Sequence, residues 1–180
     1  MTRITGRLAW IALALSTAAG AQEAPSGPPA VRATFAVIDT AGERIGQVTA
    51  IQEASGTLFQ LFVRNLPPGQ HGLHLHATPA CDPPTFQTAT GHLNPAGMKH
   101  GRRNPEGPHL GDLPNLEVNA AGEARTELRL DSLTLTPGPR SIGVPGTALV
   151  IHAGEDDERT DPTGNSGARI ACAVLAIPEQ

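Results

Sequence analysis

The chain has 180 residues, 13 basic against 17 acidic side chains and a formal net charge of −4 at pH 7. That balance argues against a nucleic-acid partner, which needs clustered Lys and Arg to meet phosphates. With no tyrosine and one tryptophan, Trp10, the core has to be built from Val, Leu, Ile, Ala and a few Phe.

Arg3 and Arg7 precede the apolar run LAWIALALSTAAG (8–20), and Ala19-Gly20-Ala21 has the small-x-small form of a cleavage site. This pattern predicts a secretory signal peptide over 1–21, removed after Ala21. The run is shorter than the roughly 20 residues that span a bilayer, and no cysteine follows the site to carry a lipid. Cleavage leaves a periplasmic or secreted chain with no membrane attachment, and removes Trp10, Arg3 and Arg7 with the signal. QEAPSGPPA (22–30) is Pro-rich and polar and predicts an extended, disordered tail. One folded domain is then expected over 31–180.

Short β-rich runs follow, separated by turn residues. They are ATFAVID (33–39), RIGQVTAIQ (44–52), TLFQLFVRNL (57–66), QHGLHLH (70–76), NLEVNA (115–120), ARTELRL (124–130), ALVIH (148–152) and ARIACAVLAI (168–177). About eight strands with frequent turn signals, and no sustained helical period, predict an all-β antiparallel sandwich or barrel. Two stretches break the rhythm: 77–110, rich in Pro, Gly, Asn and Thr, and 153–167, which carries EDDERTD. Loops this long inside a compact domain usually carry function. The two cysteines, Cys81 and Cys172, form an even count in an exported chain and so suggest one disulfide.

The seven histidines fall mostly around these loops. His74 and His76 alternate in a predicted strand and point to one face, roughly 7 Å apart at Cα. His152 ends another predicted strand and is a candidate third ligand for the same metal. His92, His100, His109 and Asp112 lie in or at the end of the long loop, and three imidazoles with a carboxylate make a tetrahedral zinc set. Imidazole and oxygen ligands suit zinc or copper. Most His-x-His pairs bind nothing, and a Pro-rich loop carrying histidines can be an unstructured scavenger, so spacing alone leaves the site open.

The motifs together resemble a known family. HGLHLH (71–76), GHLNP (91–95), KHG (99–101), NPEGPHLGDLPNL (104–116), VIHAGEDD (150–157) and GNSGARIAC (164–172) stand in the order seen in exported bacterial copper/zinc superoxide dismutases. The resemblance implies an eight-stranded antiparallel Greek-key β-barrel or sandwich with two long functional loops, copper and zinc ions, and superoxide as substrate. It implies His74, His76, His92 and His152 as copper ligands, and His92, His100, His109 and Asp112 as zinc ligands, with His92 shared. It further implies Arg169 and His92 as the residues acting on the anion, a Cys81–Cys172 disulfide, and Asp156 linking His74 to His100. His71 matches a structural histidine.

Departures from the pattern are the short ATPA (77–80), Leu93 where an aromatic is common, Ala173 where Gly is usual, and Arg159 as the single base in an acidic second loop. The last predicts weaker steering of anions. Family dimer contacts differ between branches, so a homodimer stays an open expectation. Two other readings remain at this stage: a three-histidine zinc site that activates water, and a copper carrier.

Overall fold

The computed structural model describes residues 31–131 and 133–178; the predicted signal segment 1–21 and tail 22–30 lie outside them. The first three runs pair as hairpins in chain order: β1 (Arg32–Asp39), β2 (Arg44–Gln52) and β3 (Gly56–Val63). The chain then crosses to β4 (Gly69–His71) and β5 (Leu73–His76), continues through the long loop to β6 (Leu116–Val118), and returns as β7 (Ala124–Asp131) beside β3. A second crossing brings β8 (Thr147–His152) beside β5, and β9 (Arg169–Leu175) closes between β8 and β1. All seven neighbours in the order β5-β8-β9-β1-β2-β3-β7 form one antiparallel sheet, and β4 with β6 forms a small second one. The expected all-β antiparallel architecture with two long loops holds.

The strand count differs from the expected eight because QHGLHLH divides at Gly72 into two strands of different sheets. His71 pairs with Leu116, while Leu73 pairs with Ile151. Gly72 allows this switch because a Cβ there would lie 2.7 Å from Ser166 Cβ and 3.2 Å from His74 Cε1. Its N–H donates to Gly154 O and its carbonyl accepts from His152 N–H, both at 2.8 Å, which ties the switch to the second loop.

Alternation sorts the side chains into two layers. Leu73 and Leu75 of β5, Leu149 and Ile151 of β8, and Ala171, Ala173 and Leu175 of β9 point into the main core with Val48, Phe59 and Leu61. The opposite face of β8 and β9 is covered as well: Ala148, Val150 and Cys172 pack under Phe86 and Ala89 of the long loop. This second layer explains why every residue of β8 is buried.

The free edge of β5 does not stay free. The long loop lies along it: Leu75 N–H donates to Gly111 O at 2.9 Å, Leu93 N–H to Leu75 O at 2.8 Å and Leu113 N–H to Leu73 O at 3.2 Å. Covering the edge satisfies its backbone groups. It also sets His92 opposite His76 and Asp112 opposite His74. The Cys81–Cys172 disulfide pins the same loop to β9.

Candidate metal centre

Strand alternation turns His74 and His76 outward from the core, and the long loop then buries them. His152, at the end of β8, and His92, on the loop, complete a cluster whose ligand atoms all lie within 4.8 Å of one another. Four buried ring nitrogens here have no hydrogen-bond partner: His74 Nδ1, His76 Nε2, His92 Nε2 and His152 Nε2. A buried polar atom left unpaired costs about 1–3 kcal/mol, so four in one place is a strong sign of a site built for a metal ion. The other nitrogen of each ring is engaged. His74 Nε2–H donates to Asp156 Oδ2 at 2.7 Å, His76 Nδ1–H to Thr90 O at 2.9 Å and His152 Nδ1–H to Gly167 O at 3.0 Å. Those partners fix each ring with its bare nitrogen facing inward.

His92 turns its Nδ1 the other way, into a second cluster. Asp112 Oδ1 lies 3.0 Å from His92 Nδ1, 3.1 Å from His100 Nδ1 and 3.2 Å from His109 Nδ1, and the His92 and His109 Nδ1 atoms are 3.3 Å apart. Four ligands held tetrahedrally at about 2.0 Å from one ion stand about 3.3 Å from each other, and these four separations are close to that value. His74, His92, His100 and Asp112 also fall within 4.8 Å. His109 lies beside this group, its Nδ1 3.2 Å from Asp112 Oδ1 and 3.3 Å from His92 Nδ1. Asp112 is aimed by its other oxygen, which accepts from Gly101 N–H and His109 N–H, each at 2.9 Å.

Asp156 joins the two clusters. Its Oδ2 takes His74 and its Oδ1 takes His100 Nε2–H at 3.0 Å and Glu158 N–H at 2.6 Å. Three features of this bridge were not singled out in the sequence. Asn115 grips the Asp156 backbone, donating to its carbonyl at 2.8 Å and accepting from its N–H at 2.9 Å. A Cβ on Gly164 would sit 1.8 Å from Asp156 Oδ1, so no side chain fits there. Asp161 Oδ1 accepts from His100 N–H at 2.7 Å. Asn115 and Gly164 lie inside the recognised motifs, but only the fold shows what they touch.

Burial disfavours charge on three imidazoles of the first cluster. It pushes His76 down to about 2, His152 to about 3 and His92 to about 4, in the last case against the pull of Asp112. Burial works the same way on His100, but hydrogen bonds to Asp112 and Asp156 outweigh it and raise this ring to about 9. Burial likewise opposes charge on both carboxylates. Hydrogen bonds from His100 and His92 to Asp112, and from His100 and His74 to Asp156, overcome it and hold both well below the usual carboxylate range.

Arg169 lines a cleft with His92, Asn94, Lys99, His109 and Thr163. Its Nη1–H donates to Phe86 O at 2.6 Å and its Nη2–H to Thr90 O at 2.5 Å. Two acids of the second loop are paired with bases of the first. Glu158 pairs with Arg102 at 3.2 Å and Arg103 at 3.0 Å, and Asp161 with Lys99 at 3.5 Å. His71 stands apart from both clusters, with Nδ1 2.7 Å from His152 O and Nε2 2.8 Å from Pro67 O.

Comparison with known proteins agrees with this geometry. The family model described as copper/zinc superoxide dismutase (SODC) matches residues 44–175. Superoxide dismutase [Cu-Zn] 2 of Aquifex aeolicus is 45% identical over 148 residues, covering 81% of this chain and 86% of that protein. A double mutant of a SOD-like protein from Bacillus subtilis superposes with a TM-score of 0.76 at 36% identity, covering 80% of this chain and 97% of that one. The Cu/Zn superoxide dismutase from Brucella abortus gives 0.68 at 30% identity, covering 81% and 99%. A family model that matches residues 44–175, and relatives this similar over most of their length, show that the chain belongs to the copper/zinc superoxide dismutase family.

Proposed function

We propose that this protein is an exported superoxide dismutase that holds copper in the His74–His76–His92–His152 cluster and zinc in the His92–His100–His109–Asp112 cage. The observation that supports the reading is the set of four bare, inward-facing ring nitrogens beside Asp112, whose Oδ1 lies within 3.2 Å of His92, His100 and His109 Nδ1. Bound copper supplies the electron exchange, and bound zinc supplies fixed positive charge, so that two superoxide anions and two protons give one oxygen and one hydrogen peroxide. The chain does the rest. With Nδ1 held at the cage, His92 Nε2 is the ring atom that can take up a proton and return it to the reacting oxygen. Arg169 presents a permanent cation with a rigid fork of donors to the anion entering the cleft. Its two bonds to backbone carbonyls keep that fork in place. Export follows from the signal pattern at 1–21, and the Cys81–Cys172 disulfide suits an oxidising compartment.

The test is superoxide decay by pulse radiolysis on mature chain loaded with copper and zinc. Fast, copper-dependent decay saturating at one copper per chain is expected. Decay no faster than buffer with both metals bound would overturn the reading and turn attention to copper transfer.

A further inference from the structure

The outer face of β1, β2, β3 and β7 carries four arginines that meet no acid. Alternation turns Arg32, Gln47, Thr49, Gln60, Phe62 and Arg125 away from the core that Val48, Phe59 and Leu61 fill from the other side. Two adjoining hollows of about 460 and 350 Å³ cross this face and share Gln47 and Phe62. Arg32 and Arg125 line the first, Arg44 and Arg64 the second. Among the described residues none of these four forms an ion pair, while Lys99, Arg102, Arg103 and Arg129 each pair with a carboxylate. In a chain of net charge −4, one face therefore holds a local surplus of positive charge that attracts anions. Neutral groups hold two of the arginines in place. The Arg125 guanidinium lies 4.0 Å from the centroid of the Phe62 ring, an attraction that uses none of its N–H donors. Arg44 donates to Gln47 Oε1 at 2.9 Å and to Gly46 O at 3.3 Å.

The groups between the arginines select the kind of anion. Glu127 lines the first hollow and accepts from Gln60 Nε2–H at 2.8 Å, and the Thr34 and Thr49 hydroxyls pair at 2.9 Å. A uniform polyanion would press its charge against Glu127. A polysaccharide with one carboxylate per sugar avoids that conflict: its carboxylates meet the guanidinium forks, and its hydroxyls donate to Glu127 and exchange hydrogen bonds with the amides and hydroxyls between them. The other acids on this side stand clear, Glu53 paired with Arg129 and Asp131 at the far end of β7. Arg32 pairs with Ile51 at one end of β2 and Arg44 opens the other, so the charges span about 24 Å at about 3.4 Å per residue, room for several sugars in a row. A lipid surface fits poorly, because it takes up exposed apolar side chains. Among the described residues the exposed large apolar side chain is Met98, in the long loop.

We propose that the outer face of β1, β2, β3 and β7 binds an acidic polysaccharide bearing one carboxylate per sugar, with Arg32, Arg44, Arg64 and Arg125 as its anion-binding groups. The inference stands apart from the dismutase reading, since none of these residues belongs to the metal clusters or the cleft.

Binding of labelled oligogalacturonate to the copper- and zinc-loaded chain, followed by fluorescence anisotropy, tests it. The parent is expected to bind, to release the oligosaccharide as salt is raised, and to hold polyglutamate of equal charge about 10-fold more weakly, because a peptide carboxylate brings no hydroxyl to Glu127. The double variant Arg32→Gln, Arg64→Gln is expected to weaken oligogalacturonate by about 10-fold. Arg102→Gln with Arg103→Gln, in the long loop, is expected to leave the affinity unchanged. A parent that does not bind oligogalacturonate would overturn the proposal, and so would an equal loss in the two double variants. Polyglutamate or an oligodeoxynucleotide held as tightly as oligogalacturonate would overturn the polysaccharide as occupant. Should the first double variant fail to fold, Arg64→Gln alone, exposed just beyond the end of β3, decides on the same readout.

Discussion

Replacing Asp156 by Asn separates the two clusters that this carboxylate joins. Asp156 accepts three hydrogen bonds: one on Oδ2 from His74, and two on Oδ1 from His100 and from Glu158 N–H. An amide has one oxygen and one NH2 group. The backbone N–H of Glu158 cannot change its role, so the amide oxygen takes the Oδ1 place and the NH2 group faces His74 Nε2–H, donor against donor. His74 then loses a charge-assisted bond worth about 1.5–3 kcal/mol. The conflict is relieved if the ring proton moves to Nδ1, the atom that faces the copper cluster. Copper affinity should therefore fall by about 10- to 100-fold. Zinc responds differently. In the metal-free parent hydrogen bonds to Asp112 and Asp156 raise His100 to about 9, so at pH 7 it must give up a proton to bind an ion, which costs about 3 kcal/mol. Removing the Asp156 charge lowers that cost while weakening the hold on His100, and zinc affinity should stay within about 5-fold of the parent. Competition against a chromophoric chelator, one metal at a time at pH 7, measures both constants. A zinc loss larger than the copper loss, or no change in either, would refute the assignment of Asp156 as a bridge that orients His74.

The metal-free protein should be most stable near pH 7. His76, His92 and His152 are depressed in the fold, so the unfolded chain binds more protons on the acid side and stability falls below pH 6.5. From pH 7 to 5 the loss is about 2 kcal/mol for each of the three, offset by about 1 kcal/mol from His100. His100 is raised, so its contribution is complete below 6.5 and fades as pH climbs through about 9, a further loss of about 3 kcal/mol. Urea midpoints across this range check the bell shape, and a steady rise from pH 6.5 to 9 would remove His100 from the account. His92→Ala should keep the far-ultraviolet signature of the sheet while weakening copper and zinc together, because the ring lies in both clusters; parent-like zinc affinity would refute the sharing. Gly111→Ala places a Cβ 2.3 Å from Leu75 O and 3.1 Å from Leu93 N, which should push the loop off the β5 edge and cost about 1–3 kcal/mol; an unchanged urea midpoint would show that the edge yields freely.

The clustered histidines were legible in the sequence because part of their pattern is local. His74 and His76 two positions apart in a strand must share a face, whatever the rest of the chain does. The long loop announced itself through Pro, Gly and Asn, and the motif order carried the family. The division of QHGLHLH at Gly72 was hidden, since a continuous alternating pattern reads as one strand and only the approach of Ser166 makes the break. Phe86 likewise read as a loop residue, yet it fills a second apolar layer against β8 and β9.

The candidate ligands, strand alternation and the placing of the two loops were thus written in the sequence by itself, since each depends on neighbours a few residues apart. What only the tertiary structure decided is the orientation of those ligands. Asp156 meets His74 across 82 residues and His100 across 56, and Thr90 meets Arg169 across 79. No spacing along the chain specifies such meetings. They follow from a loop laid along the edge of β5, where satisfying its backbone hydrogen bonds brings side chains from distant segments within reach of one another.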